Sequence, residues 1–374
     1  MSKHRIIVFG LLNHQHVLGF SSALKKYLNY EMIGINNNPN YLIERNKLSK
    51  TVFSEIYNAR RCKNPFLDNF YKSLSTIYYF FVVNKKVDFV LFHYLSKFIY
   101  PLALISKWRG MKTCIFVYGS DFKRADDSYK AYINKTFKIV DTIVCDSSDM
   151  LEELRLSFPL HSTKMHCCFF GSPIVDELLQ ESRTKQEVKK ELNLCAKDKV
   201  VIMCGYNGCQ EQQHIRIINH LKIMNKRIHI ILPMTYSADD FYMQDVIGCC
   251  RKNGISFTIL NHFLENEEWK KYLIATDVFI HMQLTDAFSA CLSEQLLLGN
   301  VVINAEWLKY PDLEKAGVYY VSANFDNLQM KVEDVIANFN EYSMHSKKNK
   351  NIIERFKGLE YTVKNYWGPY FESI

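Results

Sequence analysis

The stretch Thr285-Asp286-Ala287-Phe288-Ser289-Ala290-Cys291-Leu292-Ser293-Glu294, followed by Gly299 and the run Val301-Val302-Ile303-Asn304, reads as a helix entered through an acidic residue, stopped by glycine and returned into a buried strand. Asp286 stands before the helix and Glu294 inside it. Eight residues come close to two whole helical turns, so the spacing predicts both carboxylates on one face. In that arrangement the amides of Ala287, Phe288 and Ser289 are the free N–H groups of the first turn. With the helix dipole they make a seat for a phosphate. The plainer alternative is a helix with an acidic N-cap and one solvated glutamate.

Outward from this stretch the same rhythm of apolar run, small-residue turn and periodic helix repeats. Residues 199–205 form an apolar run ending in Gly205, the turn Tyr206-Asn207-Gly208 follows, and His214, Ile217, Ile218 and Leu221 recur at helical spacing. Residues 228–233, 256–260, 277–281 and 318–321 read as further strands. In the first half, residues 5–10, 31–35, 51–57, 87–93, 112–117, 141–145 and 165–170 do the same, and a helix begins near His16. Alternating strand and helix builds parallel sheets whose ligands sit at the carboxyl ends of the strands. The break Gly171-Ser172-Pro173 separates two such series. The expected organisation is α/β: two Rossmann-like, doubly wound parallel-sheet domains, 1–171 and 172–358, facing a cleft. A closing helix in 359–374, rich in aromatics through Trp367, Tyr370 and Phe371, is expected to return to the first domain.

Composition and charge narrow the field. With 48% apolar and 23% charged residues in 374, the chain is long enough for two cores. The apolar run 74–83 is too short to span a bilayer, and residues 1–3 lead into a strand without a signal-peptide pattern. Eleven cysteines, an odd number, point to a reducing cytoplasm, and the adjacent pairs Cys167-Cys168 and Cys249-Cys250 lack zinc-knuckle spacing, so no metal is expected. Residues 1–180 hold 24 Lys+Arg against 15 Asp+Glu, a balance of +9, whereas 181–374 hold 23 against 24. A one-sided basic surface suits an anionic membrane face or a phosphate-bearing acceptor. Nothing resembles a nucleic-acid motif. Between residues 66 and 83 an aromatic helix carries Phe66, Phe70, Leu74, Ile77, Tyr78 and Phe81, with Lys72 and Lys85-Lys86 beside it. That spacing predicts packing on the core, with membrane docking as the alternative.

Several polar residues fall where carboxyl ends of strands are expected. His14 and His16 lie after the first strand, and His93 ends the fourth. Tyr118-Gly119-Ser120-Asp121 is a polar turn after the fifth. Asp121 there either assists an acceptor hydroxyl as a general base or caps the helix that follows.

The 286–294 stretch resembles the E-x7-E signature of family-4-type glycosyltransferases of GT-B fold, with Asp in place of the first Glu. The resemblance implies that Asp286 faces the donor sugar, the following amides hold the diphosphate, and Glu294 grips the ribose. It also implies that the loop with His262 and Phe263 runs beside the nucleotide base, and that the Tyr118-Gly119-Ser120-Asp121 turn faces the interdomain cleft; from their place at strand ends His14, His16 and His93 are acceptor-contact candidates, with solvated loop histidines as the alternative for the first two. Residues 200–305 are also similar to the transferase family that adds 4-acetamido-4,6-dideoxygalactose to the lipid-linked precursor of enterobacterial common antigen. The likeness lies in Gly205-Tyr206-Asn207-Gly208, His214-Ile215 and Pro233-Met234-Thr235-Tyr236. The chain departs from the first family where an Arg and a Lys neutralise the diphosphate, since Tyr206, Gln210 and Glu211 stand in that region. The helix N-terminus after Asp286, the amides near Asn207 and Gly208, and Arg216 or His214 are the remaining candidates for that charge.

The expected function is metal-independent transfer of a sugar from a nucleoside-diphosphate sugar to a hydroxyl of a bacterial surface polysaccharide or lipid-linked glycan. The expected location is the cytoplasm, peripheral to the inner face of the membrane. The first likeness points to retention of anomeric configuration and the second to inversion; retention is the expectation carried forward. A nucleotide-sugar epimerase of the same fold and a noncatalytic binding module are the alternatives.

Overall fold

Runs such as Ile6-Ile7-Val8-Phe9 and Val301-Val302-Ile303 carry no polar alternation because both faces of their strands are covered, and all seven side chains are buried. The computed structural model describes residues 4–38, 46–82, 86–123, 125–194, 199–236, 239–286 and 288–373, with the side chains of Asn46, Pro65, Phe66 and Ser120 outside the description. It divides into two units, Met1–Pro173 together with Phe356–Ile374, and Ile174–Arg355.

In the first unit, β1 (Arg5–Gly10), β2 (Glu31–Asn36), β3 (Glu55–Asn58), β4 (Phe89–His93), β5 (Lys112–Phe116), β6 (Thr142–Cys145) and β7 (Met165–Cys167) form one parallel sheet in the order β3-β2-β1-β4-β5-β6-β7. The period of two divides its core. Ile7 and Phe9 pack with Phe92, Ile115 and Phe137 on one face, and Ile6 and Val8 with Phe20, Phe116 and Trp367 on the other. Trp367 lies parallel to Phe116 with ring centres 5.0 Å apart, and its indole N–H donates to the Phe169 carbonyl at 3.0 Å. The aromatics of the terminal segment are therefore core side chains of this unit.

Gly10 and Gly19 have packing roles. A Cβ on Gly10 would lie 3.1 Å from that of His93, and one on Gly19 would lie 2.1 Å from Pro173 Cγ. Gly19→Ala therefore forces the Gln15–Leu28 helix off Pro173. We expect it to cost about 1–3 kcal/mol, read as a fall of several degrees in Tm by calorimetry.

Two expectations are corrected. Residues 51–57 are not one strand: Asn46–Val52 is helical and only Glu55–Asn58 pairs with β2, because Lys47, Ser49 and Lys50 supply no alternation to extend it. The aromatic helix, Pro65–Val82, packs Ile77 partly on the core, as expected, but does not bury the face that carries Phe70, Leu74, Tyr78 and Phe81; these four are exposed, whereas Ser75, Thr76 and Phe80 are buried. Phe66 and Lys85 lie outside the described side chains.

In the second unit, β8 (Val200–Cys204), β9 (Ile228–Pro233), β10 (Ser256–Leu260), β11 (Val278–His281), β12 (Val301–Ala305) and β13 (Val321–Ala323) form a parallel sheet in the order β10-β9-β8-β11-β12-β13. The helix Ala290–Leu297 joins β11 to β12, and Gly299, with φ of 67°, turns the chain where its Cβ would press on Lys347. No helix among the described residues is long and apolar enough to cross a membrane.

Candidate active site

In each sheet the strand order reverses once, between β1 and β4 in the first unit and between β8 and β11 in the second. Crevices at the carboxyl ends of such strand pairs are where open α/β sheets bind ligands. In the second unit those ends carry the turn beginning at Gly205 and the loop from Met282 to Ser289.

Asp286 is drawn into that loop rather than set on the helix. Its Oδ2 accepts from the Tyr310 hydroxyl at 2.6 Å and the Ser289 amide at 2.9 Å, and lies 3.2 Å from His281 Nε2 at the end of β11. His281 Nε2 is in turn 3.1 Å from the Tyr310 hydroxyl. Burial pushes the Asp286 pKa up, but the contacts with His281, Tyr310 and Ser289 outweigh it and hold the group below the ordinary carboxylate value. Asp286 is thus an anion with all of these contacts on one oxygen.

Two sequence expectations change as a result. The helix begins at Ala290 with Ser289 as N-cap, so Asp286 and Glu294 are not two helical turns apart on one face. Nor are the amides of Phe288 and Ser289 those of the first turn: Ser289 gives its N–H to Asp286, and Phe288 takes a φ of 68° to bring it there; Ala287 lies outside the described residues. The first-turn donors are Ala290 and Cys291, one step further along.

Glu294 is buried, 3% exposed, and its Oε2 accepts the indole N–H of Trp269 at 3.0 Å. Burial raises its pKa to about 7, with the Trp269 contact opposing. A buried carboxyl with one donor to two oxygens is built to receive further hydroxyl donors. Trp269 belongs to the Asn266–Ala275 helix that follows the His262-Phe263 loop. Phe263 is 63% exposed there, and His262 lies 3.6 Å from Glu268.

The Gly205 turn supplies the third part. Gly205 has φ of 64°, and a Cβ on it would lie 2.7 Å from Gln212 Oε1 and 3.0 Å from His214 Nε2. His214 is fully buried and burial lowers its pKa to about 4, so it is neutral. Its Nδ1 lies 3.3 Å from the Tyr242 hydroxyl, and its Nε2 is a buried atom with no partner among the described residues. A neutral His214 does not bring the positive charge expected of it; in the tautomer with the proton on Nε2 it is a hydrogen-bond donor there. The Gly208 amide is spent on the Tyr236 carbonyl at 2.9 Å, and Asn207 Oδ1 accepts the Cys209 amide, which closes the turn against the β9 loop of Pro233, Met234 and Thr235. Arg216 lies over the Phe325 ring at 3.7 Å, leaving its guanidinium exposed.

The first unit gathers the other residues expected at a site. His14 caps the Gln15–Leu28 helix, its ring 5.1 Å from that of His16, whose pKa burial and the neighbouring His14 and Lys357 lower to about 4. His93 Nδ1 is 2.7 Å from the Tyr118 hydroxyl, and its buried Nε2 has no partner among the described residues. Burial lowers the His93 pKa to about 3. Tyr118 and His93 thus repeat the arrangement of Tyr242 and His214. Asp121 accepts the Leu95 amide at 2.8 Å and the Tyr118 amide at 3.0 Å, one on each oxygen, so it ties two loops together and does not cap the helix that follows. Gly119 takes φ of 90° beside it, and the Ser120 side chain lies outside the description.

His281, Tyr310 and Trp269 were not anticipated. His281 had one signal, its place as the last residue of an apolar strand; Tyr310 and Trp269 had none.

The whole chain superimposes on solved structures. A glycosyltransferase from Rickettsia africae matches with a TM-score of 0.77 at 14% identity, covering 100% of this chain and 99% of that one. HepE from Anabaena, in complex with UDP, matches at 0.75 and 12%, covering 99% and 100%. A UDP-GlcNAc 2-epimerase from Neisseria meningitidis, bound to UDP-GlcNAc, matches at 0.68 and 13%, covering 99% and 100%. No protein-family model matches the sequence, and no curated protein matches it. The fold is the α/β fold of two doubly wound parallel sheets that these GT-B proteins share.

Proposed function

We propose that the chain is a glycosyltransferase that takes a hexosyl group from a nucleoside-diphosphate sugar and passes it, with retention, to a hydroxyl of a polysaccharide or lipid-linked glycan. The observation that carries the reading is Glu294: a buried carboxyl with a spare oxygen, on the helix that leaves the switch-point loop, suited to a ribose diol. Phe263 supplies an exposed ring for the base. The His214 Nε2–H and the amides of Ala290 and Cys291 are donors for the diphosphate, with Arg216 as its nearest cation. Asp286 turns its second oxygen to the sugar hydroxyls. HepE, solved with UDP and with UDP-glucose, supports a uridine donor.

The acceptor oxygen forms the new bond to the anomeric carbon, the bond from that carbon to the diphosphate oxygen breaks with its electron pair, and the acceptor proton leaves with the diphosphate. Donors fixed before reaction and aimed at that diphosphate stabilise the charge as it grows. No metal is assigned a role. In the first unit His14, His16, His93 and Tyr118 are proposed to meet the acceptor, and Asp121 holds their loops.

Calorimetry with UDP, GDP and dTDP tests the donor reading: one is expected to bind with micromolar affinity, and binding of none would favour a noncatalytic module. The epimerase neighbours define the second reading. An epimerase alters the sugar of UDP-GlcNAc with no acceptor present, and a transferase leaves it unchanged.

A further inference from the structure

The Pro65–Val82 helix carries apolar side chains on both its faces, one on the core and one toward solvent. A helix on a globular protein turns its apolar stripe to the core. Here Leu67, Phe70, Leu74, Tyr78 and Phe81, spaced as one stripe, face solvent at 46–60% exposure. The inward face sets Phe80 on the core, with Ile77 and Tyr79 partly buried beside it, and otherwise carries polar groups with their partners supplied. Asp68 pairs with Arg61 and accepts the Cys62 amide, Ser75 accepts the Arg60 amide, and Thr76 donates to the Lys72 carbonyl. The stripe continues onto the next helix, where Trp108 is 77% exposed with its ring 6.0 Å from that of Phe81. Phe81, Leu104, Ile105 and Trp108 line an open, wholly apolar hollow. Apolar surface of this extent is kept exposed only where something covers it.

Charge identifies the cover. Residues 60–112 hold ten Lys+Arg and two Asp+Glu. Both acids are engaged on the unit's own groups, Asp68 with Arg61 and Asp88 with His4 and the Arg5 amide. Lys63 stands exposed before one end of the stripe; Lys86 and Lys107 stand exposed near the other, with Arg109 beside Trp108. A second copy laid on the same face would set this basic rim against itself. An anionic bilayer meets both features, taking aromatic and aliphatic side chains into its interface and lysines onto its headgroups.

We propose that the first unit docks on an anionic lipid bilayer through the Pro65–Val82 helix and Trp108. This is independent of the donor reading, since neither surface nor test involves a nucleotide. Flotation of the full chain with vesicles of phosphatidylglycerol and phosphatidylcholine is expected to recover it at least tenfold better than vesicles of phosphatidylcholine alone, with the difference lost in high salt. Trp108 emission shifts to the blue on binding, and Trp108→Phe removes that shift. The triple variant Phe70→Ser, Tyr78→Ser, Phe81→Ser lowers vesicle binding at least tenfold with its Tm not reduced, because these side chains leave no core. Lys63→Glu with Lys107→Glu does the same. Equal recovery on neutral vesicles, no recovery on anionic ones, or a dimer that the serine substitutions dissociate without any vesicle binding would each overturn the proposal.

Discussion

Replacing Glu294 with alanine is expected to weaken binding of a nucleoside diphosphate by roughly 10- to 100-fold, the cost of about 1.5–3 kcal/mol for losing a charged acceptor in a desolvated site. The same carboxyl should oppose folding above neutral pH. Its pKa is about 7 in the folded chain against 4.5 for an ordinary glutamate, so between these the folded state keeps a proton that the unfolded state has lost. Stability therefore falls as pH rises from about 4.5 to about 7, and the penalty, on the order of 3 kcal/mol, is fully present above that range. Glu294→Gln keeps the shape and removes the ionisation. It should raise Tm at about pH 8, leave Tm unchanged at about pH 4, and still lose nucleotide affinity, because an amide accepts less strongly from ribose hydroxyls. Wild-type affinity should in turn drop as pH falls through about 7 and the carboxylate is neutralised. A Glu294→Gln variant that binds as wild type, measured by calorimetry across this pH range, would remove the ribose assignment.

That the most consequential residue destabilises the fold explains why the sequence showed it only in part. The strands were legible because covered faces demand continuous apolar runs, as in Val301-Val302-Ile303, and such runs survive any detail of the site. Gly299 was legible as a helix stop for a similarly local reason, its positive φ. Contacts made across the sheet were not. His281 and Tyr310 meet Asp286 because β11 lies beside β12, in a register that puts His281 against Asn304, and no local pattern encodes that pairing. The spacing from Asp286 to Glu294 misled because helical periodicity was extended over residues 286–289, where Ser289 as N-cap and Phe288 in the left-handed region stop it. The Pro65–Val82 helix shows a deeper limit. Periodicity reports that a stripe exists and not which way it faces; the hint lay in Asp68, Ser75 and Thr76, three polar residues grouped on the opposite side.

Asp286→Ala should separate sugar handling from nucleotide handling. The Tyr310 hydroxyl, His281 Nε2 and the Ser289 amide all meet one oxygen of this carboxylate; its removal strands the Ser289 amide, while the Tyr310 hydroxyl and His281 Nε2 keep each other at 3.1 Å. At about 1–3 kcal/mol for an unsatisfied group, with the lost charge-assisted bonds added and relaxation or entering water offsetting part, a loss of roughly 2–4 kcal/mol in folding stability is expected. Asp286→Asn keeps an acceptor for Tyr310 or Ser289 and should lose less. Both variants are expected to lower turnover by at least about a hundredfold, since an anion held against the donor sugar matters most as the glycosidic bond breaks. Neither should weaken UDP binding as far as Glu294→Ala does, because UDP carries no sugar for Asp286 to hold. Tyr310→Phe supplies the control: it removes one donor, leaves the carboxylate in place, and should spare UDP affinity while reducing turnover less than Asp286→Asn. If Asp286→Asn instead abolished UDP binding and Glu294→Ala left it intact, the two carboxylates would have exchanged roles, and the helix at Ala290 would be a sugar site with the nucleotide held elsewhere.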